Sequence, residues 1–222
     1  MALAKIGYDT VELNIWPGRD ADVAILSPER ARSIGQLLKR WDIRPSALME
    51  SLKVEKEPAK HKAILEHLRR AANLAHTLAP ETPPLVETTL GGGKWDEVKE
   101  LYQSRLADWA EVGRETKTVM TIKPHRFGAM SRPEHAVELI EKLGKPKWLR
   151  MAYDFSHYAH RDMTLVDTIE TALPFTSFVA VKDTVMVGGK ARFVLPGESG
   201  QIDYPRMLKL FHAGGYRGDI NC

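Results

Sequence analysis

The stretch Trp148-Leu-Arg-Met-Ala-Tyr-Asp-Phe-Ser-His-Tyr158 sets a carboxylate and an imidazole three residues apart at the end of a short apolar run. Strand side chains alternate, so Arg150, Ala152 and Asp154 share one face and Leu149, Met151 and Tyr153 the other. Asp154 is then the last residue of its face, and His157 sits on the turn just beyond. Such a pair at the carboxyl end of a strand can bind a metal or move a proton. The plain alternative is a turn aspartate beside a solvated histidine, because Asp is common in turns. Five other strand-like segments also end in polar, reactive types: Glu12 and Asn14, Glu50, Glu87 and Thr88, Lys123 and His125, and Lys182 and Asp183. Turn chemistry alone does not account for that repetition. A ring of carboxylates, imidazoles and lysines suits small polar substrates and oxygen-preferring metals.

Each residue also has an ordinary structural role to set against the chemical one. Lys123 falls in the inward register of its strand, where an unpaired ammonium is costly. It is therefore either functional or paired with Glu87 or Asp154. His125 shares its face and is either a nitrogen ligand or a satisfied rim histidine. Lys182 and Asp183 can pair with each other, and Glu12 and Glu87 can each cap a loop. His61, His67, His76 and His160 read as helix-surface or loop residues. Trp95 and Trp109 read as packing between helix and sheet.

The elements that must position these groups alternate regularly. Strands are expected at 10–16, 44–50, 83–90, 118–125, 148–154 and 177–183, with a strand starting at 218–222. Helices are expected from Ser27-Pro28, from Pro58, after Gly91-Gly-Gly93, from Arg132-Pro133 to Leu143, over 162–173 and over 204–213, with a helix tail at 1–7. The helix signals are physical: Ser27 as cap with Pro28 behind it, and apolar residues at 3.6 spacing in the segment carrying Trp95, Val98, Leu101, Tyr102, Leu106 and Trp109. Residues 184–200 read as a loop, in which Gly188-Gly189 with Lys190 and Arg192 gives a weak phosphate-binding signal. Strand and helix in strict alternation imply parallel strands with helices outside. A doubly wound sheet would carry a Gly-rich turn after its first strand, and Trp16-Pro-Gly-Arg19 does not fit one. The expected fold is an α/β (β/α)8 TIM barrel, residues 1–222 forming one domain, with the first strand absent and the chain stopping in strand eight. Usual βα unit lengths put the missing front at about 25 residues. Exposed sheet edges and poor solubility are expected from such an open seam.

Bulk composition narrows the classes. The chain has 222 residues, 43% hydrophobic and 27% charged, an ordinary globular balance. Its net charge of +3 and the lack of a basic run with interleaved aromatics do not indicate nucleic acid. No 18-residue apolar segment indicates a membrane span. The single cysteine, Cys222, rules out an internal disulfide framework, and the opening residues lack a signal-peptide pattern. A cytoplasmic location is the expectation.

Five blocks in order and register carry a resemblance: Gly7-Tyr-Asp-Thr-Val-Glu-Leu-Asn14, Tyr153-Asp-Phe-Ser-His157, Val179-Ala-Val-Lys-Asp183, Leu195-Pro-Gly-Glu198 with Ile202-Asp203, and Gly214-Gly-Tyr-Arg-Gly218. Through nearly its whole length the chain resembles the xylose isomerase-like TIM-barrel family of sugar phosphate isomerases and epimerases, which includes endonuclease IV. The resemblance implies a divalent metal (Mn, Mg, Zn or Co) held by a Glu, an Asp, a His and a Glu at the ends of strands five to eight. Asp154 matches the Asp, and His157 matches a neighbour that often touches metal or substrate. Lys123 stands where the first Glu is expected and Ala180 where the His is expected. An ammonium in a metal position repels a dication. Two explanations follow. Either the metal has moved outward to His125, Asp154, His157 and an acid expected just after Cys222, which the retained pair favours slightly, or Lys123 replaces the metal as the fixed positive charge.

The resemblance implies isomerisation or epimerisation of a sugar or sugar phosphate by proton transfer next to a carbonyl. Catalytic candidates are Lys123, Lys182 and Glu87, with Glu87 or an acid beyond Cys222 expected as base. Candidate substrate contacts are Glu12, Asn14, His157 and Asp183. A carbohydrate-binding barrel without catalysis is the competing reading, prompted by Lys123 and Ala180. An abasic-site nuclease fits least, since that branch needs more histidines than these strand ends supply. The expected partner is a small sugar, with neither nucleic acid nor membrane, and with a homo-oligomer left open.

Overall fold

The computed structural model describes residues 2–222. After a short helix, α1 (Ala2–Lys5), the strands β1 (Thr10–Asn14), β2 (Arg44–Ser51), β3 (Leu85–Thr89), β4 (Met120–Ile122), β5 (Leu149–Asp154) and β6 (Thr176–Ala180) follow one another. A hairpin of β7 (Asp183–Val187) and β8 (Lys190–Val194) comes next, and then β9 (Ile220–Asn221). The intervening helices are α2 (Pro28–Arg40), α3 (Pro58–Leu78), α4 (Trp95–Thr116), α5 (Pro133–Lys142), α6 (Leu165–Ala172) and α7 (Tyr204–Ala213). Helix starts follow local chemistry. Ser27, Thr164 and Asp203 each accept a first-turn backbone N–H at the heads of α2, α6 and α7.

The sheet runs β1-β2-β3-β4-β5-β6-β9, every neighbouring pair parallel. Strand order equals sequence order, which separates this fold from a doubly wound sheet, where the order reverses at a switch point. The result is a nearly closed α/β barrel with one seam. Among the described residues β1 and β9 exchange no backbone ladder, but side chains cross between them. Asn221 Nδ2 donates to Glu12 Oε2 at 2.7 Å, Tyr8 Oη lies 2.9 Å from Cys222 Sγ, and Arg44 at the start of β2 reaches past β1 to fork onto Asp219.

Two layers result from the alternation of side chains. Leu149, Met151 and Tyr153 face outward into the large apolar layer between strands and helices, with Leu48, Val86, Leu106, Trp109 and Phe211. The inward face holds a far smaller apolar plug of Ala47, Ala152 and Phe178, with Leu85 against it. Above that plug the inward positions are charged.

Three expectations need correction. Glu50 faces outward, because Leu48 on the same strand face packs in the helix layer. There it takes a 2.8 Å contact from His67 Nε2. Residues 183–194 form an antiparallel hairpin rather than a loop. Gly188 and Gly189, at φ of 55° and 75°, make the two-residue turn that favours glycine. The helix-surface and loop histidines are pins between elements. His61 is buried against Asp108 at 2.8 Å, His76 meets the Thr116 carbonyl, and His160 meets the Thr184 carbonyl. The packing role of Trp109 holds, since it is fully buried in the outer layer.

Candidate active site at the mouth of the barrel

Asp154 ends β5 and caps the short 3-10 turn Phe155–His157. Its Oδ1 accepts from Ser156 N at 3.1 Å and Ser156 Oγ at 2.5 Å. Turn capping occupies only that oxygen. Oδ2 turns inward to Lys182 Nζ at 3.0 Å and His157 Nε2 at 3.4 Å, and Lys182 Nζ lies 3.4 Å from the same imidazole nitrogen. Asp154 and His157 are both fully buried, so the solvated-turn alternative fails for the histidine. Burial pushes His157 down to about 2, more strongly than Asp154 pulls it up. Burial also opposes ionisation of Asp154. The neighbouring His157 first, then Lys182, Lys123 and the Ser156 hydrogen bond, outweigh that penalty and hold its carboxyl below the usual range.

Lys123 lies just past β4, on the inward side, and is buried. Its ammonium forms an ion pair with Glu87, which is inaccessible to solvent, and stands 3.7 Å from Met49 Sδ. Desolvation lowers its affinity for the proton, but Glu87, Asp154 and Glu12 together more than reverse this, and Lys123 stays protonated. His125 follows two residues later, beyond the strand. Its ring is 4.1 Å from the His157 ring, and its Nδ1 accepts from Phe127 N at 3.3 Å. Burial first, then Lys182 and Lys123, push it down to about 4.

Glu12, in the middle of β1, completes the group. One oxygen is held by Asn221 across the seam, and the other, Oε1, is buried without a hydrogen-bond partner. Burial and the nearby charge of Glu87 push its carboxyl up to about 7, despite Lys123 and Lys182.

The structure thus brings together Glu12, Glu87, Lys123, His125, Asp154, His157 and Lys182. Asn14 stands exposed at the rim on the same strand face as Glu12. Asp183 differs: its carboxylate accepts four hydrogen bonds, from Thr184 N, Gly197 N, Ser199 N and Ser199 Oγ. Sequence reasoning missed two contributors. The hairpin brings Phe193 over the site, 5.2 Å from the His157 ring and 4.5 Å from Lys182 Nζ. Its signal was Gly188-Gly189 between two runs rich in strand-forming residues. Asn221 carried no signal at all. A cavity of about 710 Å³ lies elsewhere, beside Asp9, Arg44 and the carboxyl ends of α2 and α3.

The model of the xylose isomerase-like TIM barrel matches residues 1–222. The chain belongs to this family. A human protein named "Putative hydroxypyruvate isomerase" is 27% identical over 93 residues, which are 42% of this chain. That match spans about a third of the relative's own length (31%). Among solved structures, the IolI protein with a bound zinc atom has a TM-score of 0.79 at 17% identity, covering 99% of this chain and 80% of that one. The 3-keto-D-glucoside 4-epimerase YcjR from E. coli has a TM-score of 0.77 at 13% identity, covering 99% and 83%. At these identities the two structures establish the barrel alone. The family includes isomerases and epimerases, and metal-bound members are among its solved structures.

The metal that the family implies can be tested against the side chains present. Among the described residues no three imidazole, thiol or carboxylate groups converge on one ligand position. The candidates His125, Asp154 and His157 share their space with the Lys182 ammonium, and Lys123 adds a second positive charge. That donor set does not fit a dication.

Proposed function

We propose that the mouth performs proton transfer next to the carbonyl of a small sugar or sugar-derived hydroxy-ketone, an isomerase or epimerase reaction. The observation that carries this reading is Glu12: a buried carboxylate held near 7, with one oxygen unpartnered, facing two lysines. A base works best when its pKa lies near the working pH. Glu12 takes this role in place of Glu87, which is spent on its ion pair with Lys123. Asn221 fixes the Glu12 carboxylate, so proton abstraction falls to the free Oε1.

Removing the α-proton puts negative charge on the carbonyl oxygen, and preorganised cations lower the cost of that charge. Lys123 is the fixed one. Lys182, whose side chain is 34% exposed, is the one a substrate oxygen reaches first. Neutral His157 and His125 serve as hydrogen-bonding walls, Asn14 as a rim contact, and Phe193 as the cover that limits water. Asp154 holds Lys182, and Asp183 holds the 195–199 loop rather than the substrate.

Incubating the protein with a panel of ketoses, hydroxypyruvate and their phosphorylated forms tests the reading. Turnover of at least one member is expected, falling by two to four orders of magnitude in Glu12→Gln, the usual scale for loss of a general base. Sugar binding without turnover would instead make this a carbohydrate-binding barrel, the reading that Lys123 and Ala180 favour.

A further inference from the structure

The three carboxylates of the mouth come from alternate strands, Glu12 from β1, Glu87 from β3 and Asp154 from β5. Each lies in the inward register, and each attracts the same group, the Lys123 ammonium. Lys123 itself is 5% exposed and closed in by Glu87 on one side and Met49 on the other. A dication among these acids would have to share the space with two ammonium groups, because Lys182 holds the inner oxygen of Asp154 at 3.0 Å. On the neighbouring strand β6 the register partner of Asp154 is Ala180, which offers no ligand atom.

We infer that the Lys123 ammonium is the resident cation of this site and stands in place of a divalent metal, so that the protein binds none there. This deepens the proposed reaction and rests on the mouth being the site. In chemical terms, a permanent unit charge replaces an exchangeable double one. The site then needs no loading, and it loses the geometric grip of a metal on two substrate oxygens. Substrates with one carbonyl and a single flanking hydroxyl suit such a site better than those recognised by two-point chelation.

The inference predicts what the bare metal does. The full chain, freed of metal with a chelator, is titrated with Mn²⁺ by calorimetry, and its melting is followed with and without Mn²⁺. No saturable heat and no change in melting temperature are expected. Lys123→Glu combined with Ala180→His removes the ammonium and adds two ligands beside Asp154. This variant is expected to gain saturable Mn²⁺ binding and a higher melting temperature in its presence. Saturable binding by the unaltered chain that Asp154→Ala abolishes would overturn the inference. So would a cooperatively melting double variant that still ignores Mn²⁺, because the lysine would then not be what bars the metal. The titration of the unaltered chain stands even where the double variant does not fold. It reads binding alone, so failure to turn over any sugar leaves it intact.

Discussion

The two faces of the same seven strands differ sharply. Outward, the strands bury Leu48, Val86, Met120, Ile122, Met151, Tyr153 and Val179 against the helices, an apolar layer that the Glu50–His67 pair interrupts. Inward, the apolar plug is three buried residues deep, and above it sit three carboxylates and two lysines. Apolar burial drives folding at roughly 25 cal/mol per Å², whereas buried charge costs free energy unless paired. The outer face therefore holds the barrel together. The inner face is tolerated because most of its charge is paired, Lys123 with Glu87 and Lys182 with Asp154.

The sharpest way to break this contrast is to leave one inner charge alone. Lys123→Met strands Glu87 in a solvent-free position, and a destabilisation of about 3–5 kcal/mol is expected from urea unfolding. Adding Glu87→Gln should return most of that loss. If Lys123→Met alone costs under about 1 kcal/mol, water reaches Glu87 on the inner face.

A smaller effect is expected at Glu12. Its folded-state pKa is raised from 4.5 to about 7, so the protonated form is the one the fold favours. The stability it contributes is fully present below about 4.5 and is lost as pH rises through about 7. Glu12→Gln imitates the protonated form. It should match the unaltered protein near pH 4 and exceed it at pH 8 by about 1–3 kcal/mol, measured by urea unfolding at both values. Equal stabilities at pH 8 would return Glu12 to the ordinary carboxylate range.

The smallest effect belongs to the seam. Arg44 and Asp219 are partly exposed, and such pairs contribute about 0–1 kcal/mol. Asp219→Ala should cost no more than that, and less still in high salt. A loss above about 2 kcal/mol would show the seam to be a structural joint comparable to a backbone-paired edge.

Much of this organisation was legible in the chain. Alternation around 148–154 put Asp154 and Tyr153 on opposite faces of one strand, and the structure agrees. Caps and 3.6 periodicity located all the long helices. Register explains the main miss at Glu50: polar type suggested the mouth, but the residue falls on the outer face of β2 and meets His67. The division of labour between Glu12 and Glu87 was not legible, because both are inward glutamates. Only the lysine that pairs with one of them, and the seam asparagine that holds the other, make them chemically different.

The account turns on Glu12 removing a proton inside a lysine-lined mouth. The most direct measurement is deuterium incorporation at the carbon next to the carbonyl, followed by proton NMR in D2O with hydroxypyruvate or a ketose, across pH 5 to 9. The unaltered protein should catalyse exchange with a rate that rises through pH of about 7 and survives chelator treatment, and Glu12→Gln should not. Exchange that persists in Glu12→Gln with an unchanged pH profile would contradict it.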